Sequence, residues 1–186
     1  MRDFLSSVPS QPEELDITAI VKDLIDTYEQ QITKFAFVYV RDWGAAQEIT
    51  QNVFIKVYEK YHTFEGKSNI KTWIYTITAN ESKDYLRSMK SKRNIVKRLL
   101  THVTKKSETN TPESIFMEKE TSQSLAQKVL SLPLLYREVI ILYYYENLSS
   151  NEISDMLEVS PSTIRTRLER ARKILKDSSE RSEYNE

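Results

Sequence analysis

The sequence predicts an all-α protein made of two small helical domains joined by a linker. Glycine and proline are scarce, with two and five residues among 186, and sheet-rich folds need many turns built from these residues. Apolar residues recur at helical spacing along most of the chain. A polar stretch with a proline, KKSETNTPES at residues 105–114, interrupts this pattern and indicates the boundary between the domains.

Three helices are expected before the linker. Apolar spacing over 17–39 predicts the first helix, and Gly44 is taken to mark the break after it. A second helix is expected over 45–61. The stretch FEGKSN at 64–69 contains the other glycine and predicts a loop, and a third helix follows over about 70–89.

The region around the linker is basic. The stretch RNIVKRLLTHVTKK at 93–106 keeps helical spacing of its apolar residues. It either extends the third helix and packs on the first domain, which we favour, or forms an arm that contacts nucleic acid or a partner protein. The predicted organisation is a flexible leader (1–15), a first domain (16–92), a linker (93–114), a second domain (115–178) and a flexible tail (179–186).

Composition excludes several classes of site. The chain has no cysteine and two histidines, so disulfides and thiolate metal sites are excluded and a zinc site is not expected. We therefore expect no metal, no cofactor and no small-molecule substrate. The polar N-terminus does not resemble a signal peptide, and no window approaches the length of a membrane span, so a cytoplasmic protein is expected.

Two capped helices are expected near the C-terminus. Ser149 and Glu152 form the S-x-x-E pattern of a capping box. Ser160 followed by Pro161 predicts the start of a second helix. The short turn LEVS lies between them, and this spacing is that of a helix-turn-helix.

The second of these helices is strongly basic although the whole chain has no net charge. A helix fits the DNA major groove, where arginine can pair with guanine edges or contact phosphates. Free backbone N–H groups at its start can bind a phosphate. The alternative is an ordinary solvated charged face. The start is occupied by Ser162 and Thr163, and the residues on or near the exposed face are Arg165, Thr166, Glu169, Arg170 and Lys173.

Two motifs together resemble the extracytoplasmic-function (ECF) sigma factors of the sigma-70 family. The stretch LPLLYREVIILYYYENLSSNEISDMLEVSPSTIRTRLERARKIL is similar to the family's −35-binding region. The stretch QEITQNVFIKVYEKYHTFEGKSNIKTWIYTITANESKDYLRS resembles its core-polymerase and −10 segments. The order, the spacing and the linker all agree over about residues 17–178.

The resemblance implies a role for each matching position. Arg165, Thr166, Glu169 and Arg170 match residues that face −35 bases, while Thr163, Arg167 and Arg172 match residues that hold phosphates or pack the helix. The −10 set comprises the loop that captures a flipped base, two positions near the DNA strand and two cations for phosphate: Phe64, Glu65, Gly66, Lys67, Ser68 and Asn69, then Trp73 and Asn80, then Lys83 and Arg87. The residues matching the polymerase-docking face are Glu48, Gln51, Asn52 and Ile55.

The resemblance also implies partners. These are the RNA polymerase core, through its β′ clamp helices and β flap, promoter DNA, and an anti-sigma factor that is often anchored in the membrane. Such an inhibitor would hold the chain at the membrane, and the active chain would associate with the nucleoid. The implied function is that of an alternative sigma factor without catalytic residues of its own.

The sequence departs from the family pattern at a few positions. Ala45, Gln47 and Asn52 stand where the family often has acids, which implies either a more apolar polymerase contact or a shifted docking face. Glu158 stands where the turn often has glycine, so a left-handed residue is expected there.

Three alternatives compete with the sigma factor interpretation. A stand-alone helix-turn-helix transcription regulator leaves the TWIY…N…DYLR block unexplained. An enzyme acting on nucleic acid would need clustered carboxylates or an activated nucleophile, and neither is visible in the sequence. An interaction protein that binds polymerase without reading DNA would lack the basic recognition helix.

Overall fold

The computed structural model describes residues 17–66, 68–99 and 120–183, and the regular structure in these residues is entirely helical. An all-α fold with two domains is therefore confirmed. The helices within the described ranges are α1 (Ile17–Val40), α2 (Trp43–Lys60), α3 (Ile70–Leu99), α4 (Glu120–Ser131), α5 (Leu134–Ile140), α6 (Ser150–Leu157) and α7 (Pro161–Glu183).

The first domain is a bundle in which α1 packs against α2 and α3. Its core is aromatic at the centre, because the Phe35 ring lies 5.3 Å from Tyr39 and 4.9 Å from Tyr75. All three side chains are buried. Burial of such rings supplies much of the hydrophobic stabilisation of a domain of this size.

The break between α1 and α2 lies earlier than predicted. Gly44 is the second residue of α2, and the chain turns instead at Arg41, whose φ is 56°. Asp42 then caps α2 by accepting a hydrogen bond of 2.9 Å from the Ala45 backbone N–H. An arginine can adopt the left-handed conformation because this cap and the packing of both helices stabilise the turn.

The third helix is longer than the predicted 70–89. It continues to Leu99, so the beginning of the basic segment 93–106 extends α3, in agreement with the favoured alternative. The absence of glycine and proline from this stretch permits the extension. The contacts of this extension and residues 100–106 lie outside the description.

The described part of the second domain begins with α4. This helix ends before Leu132 and Pro133, as predicted. α5 passes into a π-helical turn, Ile141–Tyr145, and α6 and α7 follow. Leu142, Ile153 and Ile164 are fully buried between these helices. α7 remains helical to Glu183, so the segment predicted as a tail begins within the helix.

The two domains contact each other. α1 packs against α5, and α3 packs against α6. Among the described residues, no helix combines the length and the apolar character required to cross a membrane.

Candidate nucleic-acid interface

Local capping interactions build the helix-turn-helix. The Ser149 hydroxyl accepts from the Glu152 backbone N–H at 3.2 Å, and the Glu152 carboxylate accepts from the Ser149 backbone N–H at 2.8 Å. α6 ends at Glu158, which has a φ of 57°. The capping box and the left-handed turn residue are both confirmed. These contacts fix the direction in which α7 leaves the turn.

The start of α7 is capped by Ser160. Its hydroxyl accepts from the Thr163 backbone N–H at 3.2 Å and lies 2.8 Å from the hydroxyls of Ser162 and Thr163. A dense group of hydroxyls therefore surrounds the first turn of the helix. Hydroxyls and backbone N–H groups at this place are suited to a phosphate.

One face of α7 is buried and the opposite face is open. Ile164, Leu168 and Ala171 pack inward against the rest of the second domain. A stripe of polar and charged side chains, which we call the reading face, points outward. It consists of the exposed residues Ser162, Arg165, Thr166, Glu169, Arg170 and Lys173.

Three further polar residues of α7 form hydrogen bonds within the protein. Arg167 donates to the Glu138 carboxylate at 3.2 Å. Arg172 donates from Nε to the Leu168 carbonyl at 3.3 Å. Thr163 belongs to the capping group. Arg167 therefore holds α7 against α5, which is the packing alternative that the family resemblance allowed. Arg172 is exposed, and its hydrogen bond lies within α7.

Two shallow pockets flank the reading face. The sequence analysis did not predict the tyrosine and leucine side chains that line them. On one side the exposed Tyr143 and Tyr144, with ring centroids 5.0 Å apart, lie beside Arg165 and Glu169. On the other side Leu135 and Tyr136 lie beside Thr166 and Arg170. The run of three tyrosines in the helical segment 141–145 was the available signal.

The predicted −10 loop supports an aromatic cluster. The Phe64 ring lies 6.5 Å from Tyr61 and 5.1 Å from Trp73, and all three side chains are half-buried. Trp73 therefore packs against the cluster and keeps part of its surface open. Asn69 caps α3, since its side-chain oxygen accepts from the Lys71 backbone N–H at 2.9 Å.

The tip of this loop is exposed. Glu65, Gly66 and Ser68 are open to solvent, and Gly66 has a φ of 69°, a conformation that favours glycine. Lys67 lies outside the described residues. The cluster and the exposed tip together form a rim of polar groups beside partly open rings, which suits an unstacked base.

The cations predicted to follow this loop along α3 are already paired. Asn80 is exposed, but the Lys83 ammonium lies 3.7 Å from the Glu138 carboxylate of the second domain. Arg87 forms an ion pair with Asp84 one turn earlier on α3. The structure thus places the predicted −10 residues along one loop and helix, while their charges face protein carboxylates.

The predicted polymerase face lies on α2. Glu48, Gln51, Asn52 and Ile55 are all exposed there, and the Ile55 side chain is 56% exposed. Next to it an apolar groove of about 400 Å³ runs between α1 and α2. It was not predicted, and its lining adds Val21, Ile25, Glu29, Thr50, Phe54 and Tyr58 to Gln51 and Ile55.

Buried and half-buried polar contacts join the two domains. The Tyr39 hydroxyl donates to the Glu138 carboxylate at 2.9 Å, and the Lys71 ammonium lies 3.0 Å from the Glu146 carboxylate. Burial, together with the charge of Glu138, raises the pKa of Tyr39. Burial and the neighbouring Arg41 lower the pKa of Arg137 to about 10. Burial is the larger cause for both residues, because it disfavours the charged form of each side chain.

Comparison with known proteins matches two separate regions of the chain. Sigma-70 region 2 matches residues 24–92, and sigma-70 region 4 matches residues 122–175. The chain is 29% identical over 160 residues to the ECF RNA polymerase sigma factor SigW of Bacillus subtilis, covering 83% of this chain and 86% of SigW. It is 28% identical over 155 residues to SigX of the same organism, covering 82% and 80%.

A solved structure has the same fold. It is the sigma factor RpoE from Bartonella quintana in complex with the anti-sigma factor NepR, with a TM-score of 0.66 and 24% identity. The match covers 84% of this chain and 94% of that chain. The matched regions, their order along the chain and the fold agree, and the chain belongs to the ECF group of the sigma-70 family of RNA polymerase sigma factors.

Proposed function

We propose that this chain is an alternative sigma factor, which binds the RNA polymerase core and directs transcription from promoters with a particular −35 and −10 sequence. The observation that carries this proposal is the reading face of α7, a continuous polar stripe held outward by a buried apolar face. The chain supplies recognition, while polymerase supplies the chemistry. We assign residues 16–92 to the first domain, 93–114 to the linker and 115–178 to the second domain.

The second domain reads the −35 element in the major groove. Arg165 and Arg170 provide guanidinium groups for guanine edges or phosphates, and Glu169 can accept from the amino group of cytosine. The first turn of α7, with Ser162 and Thr163, contacts a backbone phosphate. Arg167 supports these contacts indirectly because its pairing with Glu138 orients the helix. Arg172 is exposed beside Arg165 and Glu169 and is available to a backbone phosphate.

The first domain opens and reads the −10 element. A flipped base loses its stacking partners, at a cost of a few kcal/mol, and a pocket must replace them. The rings of Phe64 and Trp73 provide stacking surface worth about 1–3 kcal/mol per base. The exposed loop residues and Asn80 offer hydrogen bonds to base edges, while Lys83 and Arg87 bind the strand phosphates once their carboxylate partners are displaced.

Polymerase docks on α2 and on the second domain. Glu48, Gln51, Asn52 and Ile55 bind the β′ clamp helices, and the neighbouring apolar groove extends that contact. An apolar groove offsets the scarcity of acids at this face, since only Glu48 keeps the charge that the family often has there. The β flap binds the second domain.

An anti-sigma factor is the proposed regulator. The similar RpoE of Bartonella quintana was solved with the anti-sigma factor NepR. For this chain we propose an inhibitor that covers the DNA-binding and polymerase-binding faces, and an inhibitor anchored in the membrane would hold the chain there. After release, the chain acts at the nucleoid in the cytoplasm.

Transcription in vitro tests the proposal. The purified chain and core polymerase free of other sigma factors are given a genomic fragment library, and RNA 5′ ends are mapped. Discrete starts that share −35 and −10 sequences are expected. Starts at random positions, or no starts while the chain alone binds duplex DNA, would instead support a stand-alone helix-turn-helix regulator.

A further inference from the structure

The apolar groove beside the predicted polymerase face exposes large side chains to water. It has a volume of about 400 Å³ and runs between the N-terminal part of α1 and the C-terminal part of α2. Among its lining residues Val21 and Phe54 are buried, whereas Ile55 and Tyr58 are 56% and 52% exposed. Clustered apolar surface of this kind marks a place where another segment docks.

One end of this groove lies near the start of α1. The short turn between α1 and α2 makes the two helices antiparallel. Val21 and Tyr58 therefore lie toward the beginning of α1, and Glu29 lies at the other end of the groove. Because Val21 follows Ile17, the first residue of α1, by one helical turn, the chain that precedes Ile17 joins the molecule beside the groove.

The leader, residues 1–15, contains an apolar group that fits such a groove. Residues 1–16 lie outside the described ranges. Within them Phe4, Leu5 and Val8 are spaced as on one face of a helical turn. The two residues between Leu5 and Val8 are serines, and Pro9 follows directly, which disfavours continuation of a helix. The leader therefore combines one short apolar face with a polar one.

The length of the leader permits this contact. The chain from Val8 to Ile17 can span up to about 30 Å when it is extended. The far end of the groove, at Glu29, lies about 18 Å from Ile17 along the axis of α1. The apolar group of the leader can therefore reach every part of the groove.

Charge favours one direction of the leader in the groove. Glu29 is exposed at the far end of the groove, and Arg2 is the cation near the far end of the leader. In a helical turn Arg2 lies about 9 Å from Val8, while Val21 and Glu29 are about 12 Å apart. With Val8 beside Val21, Phe4 lies in the middle of the groove, and the long Arg2 side chain reaches the Glu29 carboxylate.

We propose that the leader of the free chain folds back onto the groove between α1 and α2, anchored by Phe4, Leu5 and Val8, and competes there with the polymerase clamp helices. Gln51 and Ile55 line the groove and also belong to the predicted docking face, so the two occupants exclude each other. Because the leader is tethered, its effective concentration at the groove is on the order of millimolar, and a weak contact suffices. The proposal rests on the proposed function only for the competition.

Paramagnetic broadening in NMR spectra tests the contact directly. The chain has no cysteine, so a spin label can be attached to the full chain at Asp3→Cys. Methyl signals of Ile25 and Ile55 should be strongly broadened. Phe4→Asp combined with Leu5→Asp should remove most of this broadening. The control, Ser7→Asp combined with Gln11→Asp, adds the same charge at polar positions and should leave the broadening unchanged.

Substitution in the groove tests the other partner of the contact. Tyr58→Ser removes an exposed ring from the groove and should reduce the broadening, while Tyr144→Ser, at a site of similar exposure in the second domain, should not. Broadening that is the same in all of these variants would overturn the proposal. Broadening between a spin-labelled chain and a separate isotope-labelled chain, with none within a single chain, would show that a second copy covers the groove and would overturn it as well.

Affinity for core polymerase tests the competition. If the leader covers the groove about nine-tenths of the time, Phe4→Asp combined with Leu5→Asp should tighten binding about tenfold, and the control pair of substitutions should not. Equal affinities would overturn the competition. A chain that directs mapped initiation without broadening at Ile25 and Ile55 would refute the leader contact and leave the sigma factor function intact. Broadening that responds to the variants in a chain that neither binds polymerase nor initiates transcription would instead refute the proposed function.

Discussion

The two helices that carry the proposed DNA contacts, α3 and α7, hold their cations in different ways. On α7, Arg165, Arg170 and Lys173 are exposed and form no ion pair with the described residues. On α3, Lys83 is paired with Glu138 of the second domain, and Arg87 is paired with Asp84. These exposed cations of α7 are thus available to duplex DNA, whereas Lys83 on α3 must first leave Glu138 before it can bind a melted strand.

The largest expected effect is on the core that positions α3. Phe35→Ala removes a fully buried ring between Tyr39 and Tyr75 and should lower the free energy of unfolding by about 3–5 kcal/mol. Because Tyr39 also donates to Glu138, the contact between the domains should weaken as well. Chemical denaturation measures the first effect. Met89→Ala, at an exposed site on α3, should stay within about 0.5 kcal/mol of the unaltered chain, and equal effects would contradict this account.

The next largest effect is expected on α7, where Arg165 is exposed. Arg165→Ala should weaken −35-dependent initiation by roughly 5- to 150-fold, because a good arginine–base pair is worth about 1–3 kcal/mol of discrimination. Mapped transcription measures it. Binding to core polymerase should be unchanged, and Lys176→Ala, farther along α7, should have little effect. An equal loss of polymerase binding would refute the assignment of Arg165 to DNA.

A substitution on α3, where Lys83 is paired with a carboxylate, should affect DNA binding differently. In the polymerase complex, Lys83→Ala should weaken binding similarly for all promoter sequences and reduce the salt dependence of log K by about 0.7–0.9, since one phosphate contact is lost. Binding measured at several salt concentrations checks this. A loss that depends on the base sequence would indicate that Lys83 reads bases, and the contrast between α3 and α7 would fail.

The smallest effect concerns the capping box that positions α7. Hydrogen bonds from the Ser149 backbone and side chain lower the pKa of Glu152 below its ordinary value of 4.5. A group with a lowered folded-state pKa contributes stability above its unfolded value and loses it as the pH falls through the folded value. The second domain should therefore lose a little stability below about pH 4.5, and Glu152→Gln should remove this component. Thermal unfolding between pH 3 and 6 measures it, and identical profiles would exclude the effect.

Structural features that depend on a few adjacent residues were predicted correctly from the sequence. The capping box, the left-handed Glu158 and the break before Pro133 depend on a few adjacent residues, and all were found. The exposed stripe of α7 followed from helical periodicity. The start of α2 was placed wrongly because Arg41, and not glycine, adopts the left-handed conformation. The Asp42 cap and the packing of the two helices stabilise the left-handed conformation at Arg41. A prediction based on the position of glycine takes neither interaction into account.

Contacts between distant parts of the chain were not predictable in this way. Tyr39 and Glu138 are 99 positions apart, and no periodic pattern connects them. The pairing of Lys83 likewise depends on how the domains meet, so the sequence could show it only as an available cation. The apolar groove beside Ile55 arises from the packing of α1 on α2. The motifs therefore predicted candidate site residues, whereas the contacts of these residues with distant parts of the chain became visible only in the fold.

Crosslinking within one initiation complex tests the central claim most directly. A photoreactive side chain is placed at Phe64 or at Glu169, and the complex with core polymerase is formed on a promoter identified by mapped transcription. The account predicts that the chain labelled at Phe64 crosslinks to a −10 strand and the chain labelled at Glu169 crosslinks to the −35 duplex. Crosslinks from both positions to the same element, or none from Phe64 in an active complex, would contradict it.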